Sequence, residues 1–208
     1  MGMQVTVLMA AYNHEKYIAK AIESVLAQTH KETKLIVMND GSQDGTNEVL
    51  KRYPIEWIHT IKNAGRGHTR NLLLRMANTD IVCWMDADDE MRPTKIAKQV
   101  AYLESHPACW FVGTEMDSIL NDRGDTEPGC HPAADYDRIK TPDDLDRFNP
   151  FGNPTMMFYR LAAQRLGGYN PALKENEDVD FWKRAVAAGY KIQCVPERLY
   201  RHRLGSHS

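Results

Sequence analysis

The chain has 208 residues, with 26 Lys and Arg against 28 Asp and Glu and 42% apolar side chains. A chain of this size buries about two-thirds of its unfolded surface, needs no disulfide or metal staple, and is too apolar for intrinsic disorder. The net charge of −2 is evenly spread, residues 1–104 carrying 13 basic and 13 acidic groups, so nucleic acid is not an expected partner.

No run nears the ~20 apolar residues of a membrane span, and no basic-then-apolar leader opens the chain. The four cysteines form no C-x-x-C pair, and three lie in apolar stretches. These features lead us to expect a cytoplasmic protein with reduced cysteines and no integral membrane segment. Met1-Gly2 with Thr6 matches the short myristoylation pattern, against the plain reading of a glycine ahead of a strand. Peripheral association with the inner face of a membrane therefore stays open, as does a homodimer.

In chain order, residues 4–11 (QVTVLMAA) are apolar and β-branched, a buried strand. Residues 14–28 carry Tyr17, Ile18, Ala21, Ile22, Val25 and Leu26 at helical spacing, with Asn13 as the expected N-cap. A strand over 33–38 runs into Asn39-Asp40-Gly41-Ser42. Asp44 is placed to cap a helix reaching Tyr53, which Pro54 ends. A strand over 56–61, a helix over 65–77, a strand over 80–85, a helix over 93–105 and a strand over 109–114 follow. Strands alternating with helices predict an α/β fold with a parallel sheet, whose ligands bind beyond the carboxyl ends of the strands. The polar clusters fall there: Tyr12-Asn13, Asp40, Asn63 and Asp86-Ala87-Asp88-Asp89.

From 115 to 150 the periodicity fails. Ten acidic residues stand against four basic ones, among Gly124, Pro128, Gly129, Pro132, Pro142 and Pro150. That composition predicts a mobile loop with little to add to a core. A strand over 155–159, a helix over 161–166, the turn Gly167-Gly168-Tyr169, a helix over 176–188 and two strands, 191–195 and 199–202, complete the chain.

Asp86-Ala87-Asp88-Asp89 is the strongest chemical signal. Three carboxylates within four residues repel one another unless a cation or donors offset them, and hard oxygen ligands suit Mg²⁺ or Mn²⁺. The plain alternative is a solvated acidic turn ahead of a helix. Asp40-Gly41-Ser42 suits a base or ribose contact, or merely an Asx-turn. Gly65-Arg66-Gly67-His68-Thr69-Arg70 approaches a dinucleotide fingerprint, but Arg70 stands where the third glycine belongs and the motif follows the wrong strand. Glu177, Asp178 and Asp180 open a helix, with Trp182 one turn beyond Asp178. A carboxylate there suits a general base, or only complements the helix dipole. His202 after the last strand is a metal ligand by type, or a surface residue.

Together these pieces resemble glycosyltransferase family 2, with its GT-A fold. They occur in order: Val5 to Asn13, Ser24 to Thr29, Asn39 to Thr46, Asn63-Ala64-Gly65 with Arg70-Asn71, Asp86 to Asp89, Gly167-Gly168-Tyr169, and Glu177 to Trp182. The resemblance implies one GT-A domain over 1–208, with a nucleotide-sugar half (1–114) and an acceptor half (115–208). It implies inverting transfer of a hexosyl or N-acetylhexosaminyl group from a nucleoside diphosphate sugar, by preference a UDP-sugar. The acceptor would be a saccharide, lipid-linked or other hydroxyl, in polysaccharide or glycoconjugate biosynthesis. By resemblance Ala11, Tyr12, Asn13, Asp40, Asn63 and Arg70 would lie at the nucleotide. Asp86 and Ala87 would meet the donor, with Asp86, Asp88 and His202 on Mn²⁺ or Mg²⁺. Asp178 would be the catalytic base, flanked by Glu177 and Trp182 at the substrate. Ala10-Ala11 departs from the proline many members carry before Tyr-Asn. No tryptophan follows an arginine, so the Gln-x-x-Arg-Trp motif of processive synthases is missing and a non-processive enzyme is expected. Two rivals remain: a nucleotidyltransferase, which would show a Gly-rich basic loop where Tyr12-Asn13-His14 stands, and a catalytically silent sugar-nucleotide-binding module.

Overall fold

Both faces of the first strand, β1 (Val5–Ala11), are covered: Val5, Val7, Met9 and Ala11 join one apolar cluster, and Leu8 joins another. Double burial explains why the strand is apolar along its whole length instead of alternating. The computed structural model describes residues 2–129 and 133–205. In it β1 lies between β2 (Thr33–Asn39) and β4 (Ile81–Asp86), parallel to both, and β3 (Glu56–His59) extends the parallel part beyond β2.

Past β4 the sheet becomes mixed. β8 (Met157–Tyr159) runs antiparallel to β4 and to β6 (Cys109–Ile119). β6 is parallel to β9 (Lys191–Arg203), and β9 pairs antiparallel with the short β5 (Glu90–Met91). The order is β3-β2-β1-β4-β8-β6-β9-β5, with β7 (Thr126–Pro128) forming a hairpin on β6. α1 (Ile18–Leu26), α2 (Thr46–Leu50) and α4 (Lys95–Ser105) cover one face, and α3 (Arg66–Met76), α7 (Arg160–Arg165) and α8 (Glu177–Ala187) cover the other. The α/β architecture is as expected, with helices on both sides of a mixed, largely parallel sheet.

Four expectations change in detail. α1 starts at Ile18 instead of 14, because Asn13 takes a left-handed conformation (φ 57°) and residues 14–17 form a turn. Asn13 therefore caps nothing; its side-chain oxygen accepts from the Gln43 N–H at 2.9 Å. The two terminal strands are one, β9, which stays paired with β6 through register shifts opposite Thr114, Glu115 and Met116. β6 itself runs five residues further than the periodicity predicts, as far as Ile119.

The fourth change concerns 115–150, which does contribute to the core. Two short helices, α5 (Ala133–Tyr136) and α6 (Asp144–Arg147), carry Tyr136 and Leu145 inward, and Phe151 follows. Tyr136 and Phe151 pack edge to face at 5.1 Å, and Phe151 meets Trp182 at 6.2 Å. The Tyr136 hydroxyl lies over Gly113 of β6, where a Cβ would come within 2.2 Å of it. Cys83, Cys109 and Cys194 are free and buried. Cys130 lies outside the described residues.

Candidate active site

Parallel pairing fixes the site. The register sets Ala11 beside Asn39 and Ala10 beside Asp86, so the loops after β1, β2 and β4 open side by side at one sheet edge. The β1 and β2 loops are tied together: the Asn13 N–H donates to Ser42 Oγ at 2.8 Å, and the His14 N–H donates to Thr46 Oγ1 at 2.9 Å. Ala11 is buried and Tyr12 half-buried. Asp40 is buried and accepts from the Ala64 N–H at 3.0 Å, the Gly65 N–H at 3.2 Å and the Thr60 hydroxyl at 3.1 Å. Asn63 is exposed and turns its side-chain oxygen onto the Gly65 N–H at 3.0 Å. Gly41 (φ +77°) permits this approach, since a Cβ there would lie 2.7 Å from the Asn63 nitrogen.

The acidic loop after β4 is bound from the far end of the chain. The Asp86 N–H donates to the Tyr200 hydroxyl oxygen at 3.2 Å. Asp89 is wholly buried; it accepts from the Arg203 N–H at 2.7 Å and contacts His202 Nδ1 at 3.3 Å. Arg203 Nε donates to the Asp88 carbonyl at 3.0 Å, and its guanidinium covers the Tyr17 ring at 4.3 Å. Asp88 is buried, with His14 Nε2 at 3.9 Å. Burial pushes the Asp86 carboxyl up to about 7; Asp89 and Asp88 add to the rise and Arg70 opposes it. Burial also raises Asp89, while the hydrogen bond to Asp89 raises His202.

Such a loop is short of positive charge, and its oxygen donors suit Mg²⁺ or Mn²⁺. Among the described residues, however, no three His, Cys, Asp or Glu side chains converge into a cage. His202 Nδ1 lies against Asp89, and Asp86 and Asp88 are also among its electrostatic neighbours. These cations keep several waters and take one or two carboxylates plus substrate phosphates, so the loop fits a cation that arrives with a diphosphate.

Across the cleft, α3 and α8 meet. Arg70 forms an ion pair with Glu177 and lies 5.8 Å from the Trp84 ring and 5.4 Å from the Tyr169 ring. Its electrostatic neighbours are Tyr169, Asp86, Glu177 and Asp178, so the acidic loop and the first turn of α8 both act on one guanidinium. Glu177 is buried; Asp178 is half-buried, and one of its oxygens accepts the Val179 N–H at 2.9 Å. Trp182 is wholly buried among Phe111, Phe151, Phe158 and Phe181. Its ring supports α8 from below and is closed off from the cleft. Ala87 is buried in the core beside β4. Arg203, which braces the acidic loop, was given no role by the sequence: a lone basic residue carries no signal without its tertiary partner.

The parallel part of the sheet, with acidic loops at its carboxyl edge, defines an α/β architecture that takes a ligand at that edge. The sequence profile described as "Glycosyl transferase family 2" matches residues 6–165, and the chain belongs to that family. It is 32% identical over 210 residues to EpsE of Bacillus subtilis strain 168, described as a glycosyltransferase, covering 97% of this chain and 73% of that one. It is 27% identical to the amylovoran biosynthesis glycosyltransferase AmsE of Erwinia amylovora, covering 97% of this chain and 76% of that one. The fold matches S. aureus TarS 1–349 in complex with UDP-GlcNAc, with a TM-score of 0.78 at 20% identity over 99% of this chain. It also matches the mannosyltransferase PcManGT of Pyrobaculum calidifontis in complex with GDP-Man and Mn²⁺, with a TM-score of 0.74 at 20% identity over 100% of this chain. The chain spans about 60% of TarS 1–349 and 59% of PcManGT. The fold is thus GT-A, in a member of glycosyltransferase family 2.

Proposed function

We propose that this protein transfers a sugar, with inversion and one residue per encounter, from a UDP-sugar to an acceptor hydroxyl in polysaccharide or glycoconjugate assembly. The observation that carries the reading is Arg70, ion-paired with Glu177 next to Asp178 and within electrostatic reach of Asp86 in the acidic loop. The two sides of an anomeric carbon need opposite chemistry, and these two acidic elements supply it. Ala11, Tyr12, Asn13, Asp40 and Asn63 bound the nucleoside end. Asp86 and Asp88 would hold Mn²⁺ or Mg²⁺, which supplies Lewis-acid neutralisation of the diphosphate. The transition state is oxocarbenium-like. Asp178 takes the acceptor hydroxyl proton while that oxygen bonds to the anomeric carbon opposite the departing diphosphate, which leaves with the electron pair of the broken C–O bond. The sugar type, hexosyl or N-acetylhexosaminyl, belongs to the same proposal, as do a saccharide or lipid-linked acceptor and a seat at the membrane. Among the described residues no helix is long and apolar enough to cross a membrane.

A thermal-shift panel of nucleoside diphosphates, with and without Mn²⁺, tests the donor half. A ligand at 100 times its dissociation constant stabilises by about 2.7 kcal/mol, which is ~5–11 °C in Tm for a chain of this size. A Mn²⁺-dependent shift with UDP above the other nucleotides is expected, with release of UDP on adding a UDP-sugar and acceptor. A shift without any turnover would identify a silent binding module, and no shift with any nucleotide would sink the reading.

A further inference from the structure

Asn176 is left-handed (φ 56°), and no side chain caps α8. Three acids sit in the first turn, Glu177, Asp178 and Asp180, and Asp180 is taken by Arg184 at 2.7 Å. α3 grips this region at two adjacent residues. Asn71 Nδ2 donates to the Tyr169 carbonyl at 2.7 Å, and Asn71 Oδ1 accepts the Tyr169 N–H at 2.8 Å. Gly168 (φ +73°) is held so close that a Cβ would lie 2.4 Å from Asn71 Oδ1. One residue earlier on α3, Arg70 holds Glu177, with its guanidinium beside two aromatic rings and its side chain only 11% exposed.

We propose that Arg70 is the positioning residue for Asp178. By holding Glu177 it fixes the first turn of α8 to α3, and so sets where the base stands relative to the acidic loop after β4. This rests on the reading of Asp178 as the base. The resemblance implies a nucleotide contact for Arg70; in the structure its Nη1 goes to Glu177, and its guanidinium lies beside the Trp84 and Tyr169 rings. Arginine suits the post because a planar, permanently charged fork stacks and bonds at once, which lysine cannot do. Rate is sensitive to such placement, since an error of about 1 Å costs ~10²-fold.

The test compares Arg70→Gln, Glu177→Gln and the double variant for transfer rate and, separately, for UDP affinity by calorimetry with Mn²⁺. Each single variant is expected to lose ~10²-fold in kcat while UDP affinity stays within about threefold. The double variant is expected to be no slower than the slower single one, because the pair acts as a unit. Arg70→Lys, which keeps the charge without the planar stack, is expected at an intermediate rate, and with Glu177→Gln it keeps the test readable if Arg70→Gln fails to fold. UDP affinity falling about tenfold in Arg70→Gln with Glu177→Gln unchanged would reveal a direct nucleotide contact and overturn the proposal. Independent, additive rate losses would overturn it as well. A parent protein inactive with every sugar nucleotide fails before any variant is made; that is the failure of the transferase reading, and it takes this proposal with it.

Discussion

Asp178 sits half-buried in the first turn of α8, one residue from a buried ion pair and within the field of Arg70. As the base, Asp178→Asn keeps its size and hydrogen-bonding capacity but cannot accept the acceptor's proton. Transfer should fall ~10²–10⁴-fold, with UDP affinity little changed. If Asp178 only complements the helix dipole, the same change costs about 0.3–1 kcal/mol of stability and leaves the rate alone. Progress curves and urea unfolding on the same preparation separate the two. Asp180→Asn is the control, because Asp180 spends its carboxylate on Arg184. The candidate residues themselves were legible from type and order. What was not legible was which of them touch. Nothing in the spacing indicates that Arg70 bonds Glu177, 107 positions away, or that His202 meets Asp89, 113 positions away.

At the scale of elements, α4 holds a residue that no pattern flagged. Lys95 opens the helix, where a lysine reads as solvated, yet it is wholly buried; its Nζ donates to Gln99 Oε1 at 2.9 Å and contacts Cys83 Sγ at 3.1 Å. Burial lowers the ammonium pKa, and Cys83 opposes the shift. With the folded value below the ordinary ~10.4, the folded state releases its proton first as pH rises, so stability increases over that window. Lys95→Met removes the buried charge. Its stability relative to the parent should be highest near neutral pH. That advantage should shrink by about 1.4 kcal/mol for each pH unit between the folded value and ~10.4, vanishing there. Urea titrations of both proteins at stepped pH check this, and parallel curves would show that Lys95 keeps its ordinary pKa in the folded state. The single strand β9 is the other element-scale surprise. Pro196 suggests a break, yet the register shifts let one strand serve both the core and the acidic loop.

For the whole molecule, the decisive segment is 115–150. Its acidic, Pro-rich composition suggests a loose cover, but Tyr136 and Leu145 within it, and Phe151 directly after it, pack into the cluster that holds the aromatic rings under α8. Phe151→Ala should therefore cost ~3–5 kcal/mol in urea unfolding, the scale of a buried aromatic in a shared core. A cost below about 1 kcal/mol would return the segment to the status of a loop. UDP affinity should be unchanged, because the nucleoside loops lie on the β1–β2 side of the sheet.

The sequence by itself determined the α/β class, the buried parallel strands and the strand-end position of Asp40 and of the Asp86–Asp89 run. Those properties follow from hydrophobic period and local turn chemistry, which act over a few residues. Tertiary structure alone decided that β9 closes over β5 and the acidic loop, that Trp182 and Ala87 are core, that Asp40 spends its carboxylate on the 64–65 backbone, and that Arg70 links α3 to α8. Each of these depends on partners some 25 to 115 residues apart, chosen by the packing of the whole sheet.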